Sequence, residues 1–329
     1  MRAFVFPGQG AQTIGMGHEL ARSYPAAMAI FEEVDDALGE KLSELIWEGD
    51  QDKLTLTENA QPALMATSLA VVRALEAEGV TMEAASFVAG HSLGEYSALA
   101  AAGALSVADT ARLLRLRGLA MQKAVPVGQG AMAALLGLDY ETVRNVAAAA
   151  ASEKGQVCQA ANDNDPGQVV VSGNREAVER AVELAKEQGA KRALLLPVSA
   201  PFHCELMAPA AKAMADALSD VEIARPSVPV VANVRAEAVS VPDLIRNLLI
   251  EQVTGAVRWR ESVLWMAAEG VSEVWELGAG KALTGMIRRI DRTLATRAVG
   301  SPEDVASAAE SLMPNDDDET GATGAGEKE

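Results

Sequence analysis

The chain has 329 residues, 49% apolar and 22% charged, enough apolar material for one large globular unit with a smaller one attached. Its formal net charge of −18 argues against general nucleic-acid binding, which depends on clustered lysine and arginine. No window approaches the uninterrupted apolar length of a membrane span, and residues 1–6 are too short for the apolar core of a signal peptide, so a cytoplasmic protein working away from membranes is expected.

Residues 1 to about 126 alternate short apolar strands with amphipathic helices. The first strand runs into Phe6-Pro7-Gly8-Gln9-Gly10. Residues 84–89, with Phe87 and Val88, suit a buried strand, and residues 95–102 suit a helix. Between them stands Gly90-His91-Ser92-Leu93-Gly94, a G-x-S-x-G box that places Ser92 on a tight strand-to-helix turn. Gly90 and Gly94 leave room where such a turn packs strand against helix, and the helix N-terminus offers unpaired N–H groups toward charge developing near Ser92.

The pattern changes after Gly128, Gln129 and Gly130. Residues 132–138 read as a strand, 141–153 as a helix, 157–161 and 169–172 as strands, 176–188 as a helix and 193–198 as a strand. That βαββαβ order predicts a ferredoxin-like unit over 128–198, inserted in a larger α/β domain made of 1–127 and 199–313. Residues 197–201 mark the return junction. Two lobes imply a cleft, and a turn bearing Ser92 on one wall is well placed to use it. Residues 314–329 carry six acids against Lys328 and no large apolar side chain, so a disordered acidic tail is expected there.

A serine nucleophile needs a base, and the chain offers three histidines, His18, His91 and His203. His91 adjoins Ser92 and points away from it in a tight turn. His18 falls in the first helical segment as a surface or capping residue. His203, after Ser199-Ala200-Pro201-Phe202, stands where the chain re-enters the large domain and is the expected general base. Cys158 and Cys204 are too few for a disulfide framework, and both read as buried structural cysteines. Three histidines and two cysteines provide no cluster for a zinc site, so no metal is expected.

Phe6-Pro7-Gly8-Gln9-Gly10, Gly90 to Tyr96, Arg117-Gly118, Asn162 to Gln168, Phe202-His203 and Gln252 occur in an order that resembles the malonyl-CoA:acyl carrier protein transacylase family, over residues 1 to about 313. The resemblance implies an α/β-hydrolase-like core with an inserted ferredoxin-like subdomain. It also implies transfer of malonyl from malonyl-CoA to acyl carrier protein through a malonyl-serine, the supply of extender units for fatty acid synthesis. In that scheme Ser92 attacks the thioester and His203 takes its proton. Backbone N–H groups at Gln9 and Leu93 form the oxyanion hole, the main-chain carbonyl of Gln252 orients His203, and Arg117 binds the malonyl carboxylate. Phe202 crowds an α-methyl branch, and Asn162 matches an active-site position. No cofactor is implied, since malonyl-CoA and the phosphopantetheine-bearing carrier protein are substrates, and a monomer is expected.

Acyl carrier protein is acidic, so a net-negative enzyme needs a local basic patch to dock it. Lys186, Lys191 and Arg192 on the insert, with Arg288 and Arg289 near the end of the large domain, are the candidates. Two other classes remain open. A serine hydrolase or thioesterase would use the same turn with Asp163 or Asp165 as the acid. A non-catalytic protein of this fold would bind the carrier without acyl transfer. One departure from relatives is visible: residues 253–259 lack the Asn-Pro pair commonly found before Val-x-Trp, which loosens the expected hold on the backbone beside Gln252.

Overall fold

The structure, a computed structural model, describes residues 1–152, 155–198 and 200–312. Its ten strands are β1 (Arg2–Phe6), β2 (Phe87–Gly90), β3 (Gly130–Leu136), β4 (Cys158–Asp165), β5 (Gln168–Asn174), β6 (Arg192–Leu195), β7 (Val230–Ala232), β8 (Glu237–Val239), β9 (Glu273–Leu277) and β10 (Ala295–Val299). Six of them form one sheet in the order β10-β9-β1-β2-β7-β8, parallel throughout except for β8, which returns antiparallel to β7. The other four form an antiparallel sheet in the order β4-β5-β3-β6.

The large sheet is buried on both faces, as a parallel sheet flanked by crossover helices must be. Along β1, Phe4 and Phe6 enter the main core while Ala3 and Val5 enter a second core on the opposite face. β2 and β9 divide in the same way: Val88, Trp275 and Leu277 face the first core, Ala89 and Val274 the second. The long helix Thr57–Ala77 is buried along most of its length in the first layer.

The small sheet, inserted between β2 and β7, carries helices on one face only. Ala131, Ala133, Leu135, Val169 and Val171 pack against Val143, Val146 and Ala147 of the helix Tyr140–Ala150 and Val178, Ala181 and Val182 of the helix Arg175–Glu187. Met132, Ala134 and Val170 point the other way and belong to the core of the large unit. The bare face of the small sheet is therefore the roof of a cleft whose floor carries β2. The element order and the two-sheet architecture agree with the fold expected from the sequence.

The sequence misplaces two segments. The strand expected over 84–89 is β2, with Met82–Ala84 forming a 3-10 turn before it. Residues 162–165, which fall between the strands expected over 157–161 and 169–172, are instead the second half of β4. They pair with β5 through two register shifts on one side and with Val257 on the other. Their polarity is answered by partners on the large unit: Arg260 binds Asp163, Arg289 binds Asp165, and Asn164 meets His91. Long-range pairing thus overrides a composition that locally favours a turn. Among the described residues no helix is long and apolar enough to cross a membrane, and the acidic tail expected over 314–329 lies outside the described residues.

Candidate active site

Ser92 lies between β2 and the helix Leu93–Ala101 with φ 54° and ψ −110°, a backbone that non-glycine residues seldom adopt. The flanking glycines permit it. A Cβ on Gly90 would come within 1.9 Å of the Gly94 carbonyl group, and one on Gly94 within 2.3 Å of the Phe6 carbonyl oxygen. Asn233 clamps the turn from a distant segment: its Oδ1 accepts from Ser92 N–H at 2.8 Å and its Nδ2 donates to the Gly90 carbonyl at 2.6 Å.

The Ser92 hydroxyl stands 2.8 Å from His203 Nε2. His203 is buried, and its Nδ1 lies 2.9 Å from the main-chain carbonyl of Gln252. A carbonyl only accepts, so the ring proton sits on Nδ1 and Nε2 faces the hydroxyl as the acceptor. Burial, and after it the Arg117 guanidinium, hold the imidazole down at about 3. The free site therefore keeps a neutral base throughout the physiological range. The unfolded chain binds a proton at this histidine below about pH 6.5, which the folded site refuses until about 3, so stability drains as pH falls through that window. NMR of the imidazole nitrogens should show the Nδ1–H tautomer of His203 with no protonation from pH 8 to about 5. An imidazolium forming near pH 6.5 would contradict this geometry.

Arg117 points inward, whereas Arg112 and Arg115 on the same helix pair at the surface with Asp109 and with Glu40 and Asn59. Only 1% of Arg117 is exposed. Its Nη1 donates to Gln61 Oε1 at 2.8 Å, and its Nη2 donates to Gln252 Oε1 at 2.9 Å and to Ser92 Oγ at 3.1 Å. The guanidinium also sits 5.6 Å from the centre of the Tyr96 ring. A cation held against a nucleophile, bonded to amide oxygens and, among the described residues, to no carboxylate, suits an incoming anion.

These groups open on a cavity of about 440 Å³. Met121, Met132, Ala134, Val170, Leu196 and Phe202 supply its apolar wall. Gln9 and Leu93 both line it. Gln9 is exposed on the loop after β1, and Leu93 opens a helix, where its N–H has no carbonyl four residues back within the helix to bind. Asn162 and Phe202 are buried and line the same cavity.

The segment without the Asn-Pro pair is pinned by other means. Gly255 N–H bonds to Glu251, Val257 exchanges two bonds with Ala161 and Asp163, Arg258 N–H bonds to Asn233, and Trp259 is fully buried. Asp163 and Asp165 turn to Arg260 and Arg289, so the histidine's orienting partner is a carbonyl and neither acid serves it. His91 likewise faces away from Ser92, with Nε2 at 2.8 Å from Asn164 Oδ1, and His18 stacks on Trp47.

The basic candidates differ in their freedom. Lys186 pairs with Glu183, Arg289 with Asp165, and Arg288 bonds to Thr296. Lys191 and Arg192 enter the edge strand β6 exposed, and among the described residues no carboxylate pairs with them. The residues that sequence reasoning missed are Gln61, Glu95 and Asn233. Glu95 carries a local signal, lying three residues after Ser92. Asn233, 141 residues from Ser92 in sequence, carries none.

The chain matches the family described as acyl transferase domain over residues 3–309. It is 50% identical over 315 residues to the malonyl CoA-acyl carrier protein transacylase of Bacillus subtilis (strain 168), covering 96% of this chain and 98% of that protein. The chain belongs to the malonyl CoA-acyl carrier protein transacylase family. The crystal structure of the family's acyl-carrier-protein-S-malonyltransferase from Bartonella henselae superposes with a TM-score of 0.92 at 56% identity, covering 94% of this chain and 99% of that one. A second structure, of a malonyl-transacylase in complex with its type II PKS acyl-carrier protein, gives a TM-score of 0.91 at 43% identity, over 94% of this chain and 99% of that one.

Proposed function

We propose that this chain transfers the malonyl group from malonyl-CoA to the phosphopantetheine thiol of acyl carrier protein, as an [acyl-carrier-protein] S-malonyltransferase of fatty acid synthesis. The observation that carries the reading is the buried Arg117 guanidinium 3.1 Å from Ser92 Oγ. It offers a carboxylate-binding group one short acyl chain away from a serine paired with a neutral histidine. Membership of the family and the carrier-protein complex of its relative support the same substrates.

In the proposed cycle the malonyl carboxylate binds Arg117. Ser92 Oγ attacks the thioester carbonyl while His203 Nε2 takes the hydroxyl proton. The oxyanion accepts from the N–H groups of Leu93 and Gln9. Collapse breaks the C–S bond, and His203 returns the proton to the departing CoA sulfur. The carrier's thiol then gives its proton to His203 and attacks the malonyl-serine ester. The second intermediate collapses with the proton going back to Ser92, and malonyl leaves on the carrier. Nothing beyond the chain's own groups and the two substrates enters the cycle. The Gln252 carbonyl fixes the ring as a carboxylate would, while stabilising the transient imidazolium less.

Phe202 sets the width of the apolar wall and disfavours an α-methyl branch by about 1–3 kcal/mol, the usual value of one methyl group. Two free, buried cysteines accord with a reducing compartment, and we assign the protein to the cytoplasm.

Initial rates measured against both substrates should give the parallel double-reciprocal lines of a ping-pong cycle, and intersecting lines would contradict a malonyl-enzyme. Arg192→Glu, on the exposed edge strand, should raise KM for the carrier several-fold and leave malonyl-CoA kinetics unchanged. Equal effects on both substrates would remove this strand from the docking surface.

A further inference from the structure

Ser92-Leu93-Gly94-Glu95 has the spacing of a helix capping box, in which the serine side chain would bind a backbone N–H of the first turn and the glutamate would reach back to the serine N–H. Neither bond forms. The helix Leu93–Ala101 has no side-chain cap, the Ser92 N–H is taken by Asn233 Oδ1, and the Ser92 hydroxyl is turned to His203 and Arg117. Glu95, only 2% exposed, is thereby released to a different task. Its Oε2 accepts from Gln252 Nε2 at 2.9 Å and from Asn233 N–H at 3.0 Å.

The consequence lies in the Gln252 amide. Arg117 can only donate, so it requires the Gln252 oxygen. The other end of the amide, two N–H donors, must then find acceptors in a buried site. It finds the Glu95 carboxylate and the Ser92 carbonyl, the latter at 3.0 Å. Glu95 Oε2 already accepts from Asn233 N–H and so offers the amide a lone pair even when the other carboxyl oxygen carries a proton, and the Ser92 carbonyl can only accept, so the pair permits one orientation of the amide and penalises its flip. We propose that Glu95 is a positioning residue for substrate selection: through the Gln252 side chain it fixes the oxygen that holds Arg117 against Ser92. It touches neither the serine hydroxyl nor the histidine ring in this network, so its influence falls on recognition of the acyl carboxylate more than on the Ser92–His203 pair. Burial pushes the Glu95 carboxyl up to about 7, against the opposing pull of Asn233, Gln252 and Arg117.

This inference rests on the malonyl reading above, and its test separates the two. Glu95→Met keeps the side-chain length and removes the acceptor; Glu95→Gln keeps one oxygen where Oε2 stands. Steady-state kinetics with malonyl-CoA and acetyl-CoA are compared with the rate at which a small uncharged phosphonyl fluoride labels Ser92, a reaction that needs the serine and histidine but not Arg117. Glu95→Met should raise KM for malonyl-CoA at least about tenfold and erode the malonyl-over-acetyl preference by a similar factor, with labelling within about threefold of wild type. Glu95→Gln should restore most of both. If Glu95→Met does not fold, Gln252→Met cuts the same chain at its middle while keeping the main-chain carbonyl, and should reproduce the loss. Adding Glu95→Gln to Gln252→Met should then cost nothing further. Wild-type KM and preference in Glu95→Met would overturn the inference. So would parallel loss of malonyl, acetyl and phosphonyl reactions, or additive losses in the double variant. A wild-type enzyme with no preference for malonyl would overturn the malonyl reading itself, and this inference with it.

Discussion

Ser92→Ala and His203→Ala are each expected to lower malonyl transfer by about 10⁵- to 10⁶-fold, and the double variant to lose little more, because a hydroxyl and its base act as one unit. The expectation follows from the 2.8 Å contact between Ser92 Oγ and His203 Nε2 and the 2.9 Å contact from Nδ1 to the Gln252 carbonyl. Without the imidazole, the hydroxyl keeps its proton at neutral pH. Without the hydroxyl, the imidazole has nothing to activate. The Asn233 clamp grips the main chain of residues 92 and 90, which both substitutions leave in place, so CoA-ester binding should be nearly unchanged. Single-turnover rates and a binding measurement separate these effects, and multiplicative losses in the double variant would mean that the two residues act independently.

Arg117→Ala is expected to reduce kcat/KM for malonyl-CoA by about 10²- to 10³-fold, some 3–4 kcal/mol, while sparing or raising activity on acetyl-CoA. Part of the loss is the ion pair with the substrate carboxylate, and part is the exposure of Gln61 Oε1 and Gln252 Oε1 without their donor. The rise with acetyl-CoA has a separate cause. After burial, the guanidinium is the next influence holding His203 down. A malonyl carboxylate neutralises that charge on binding and acetyl cannot, so the base is weaker in the acetyl complex until Arg117 is removed. Equal loss on both substrates would assign Arg117 to the structure of the site instead of to selection.

The sequence made the turn at Ser92 legible because its signals are local: two glycines, an apolar run before and a helix after. The insert was legible from its alternating periodicity, and His203 from scarcity, since only three histidines compete for the role. What lay hidden depends on contacts between distant segments. Residues 162–165 are too polar to announce a strand, and they form one because Arg260, Arg289 and Val257 wait on the large unit. Asn233 and the side chain of Gln252 meet Glu95 from 138 and 157 residues away, and no periodicity encodes that meeting. Arg112, Arg115 and Arg117 illustrate the same limit: their spacing leaves open which one turns inward, and burial of Arg117 against Tyr96, Gln61 and Gln252 decides it.

Transfer by this route passes through a malonyl-enzyme on Ser92 that the carrier thiol discharges. Intact-protein mass spectrometry detects that intermediate when wild type and Ser92→Ala are mixed with malonyl-CoA or acetyl-CoA and phosphopantetheine-bearing carrier protein is then added. A malonyl adduct should appear on wild type alone, with weak labelling by acetyl-CoA, and should be lost on addition of the carrier as the malonyl-carrier forms. Rapid release of free malonate with no transfer, or an adduct of equal size on Ser92→Ala, would contradict this route.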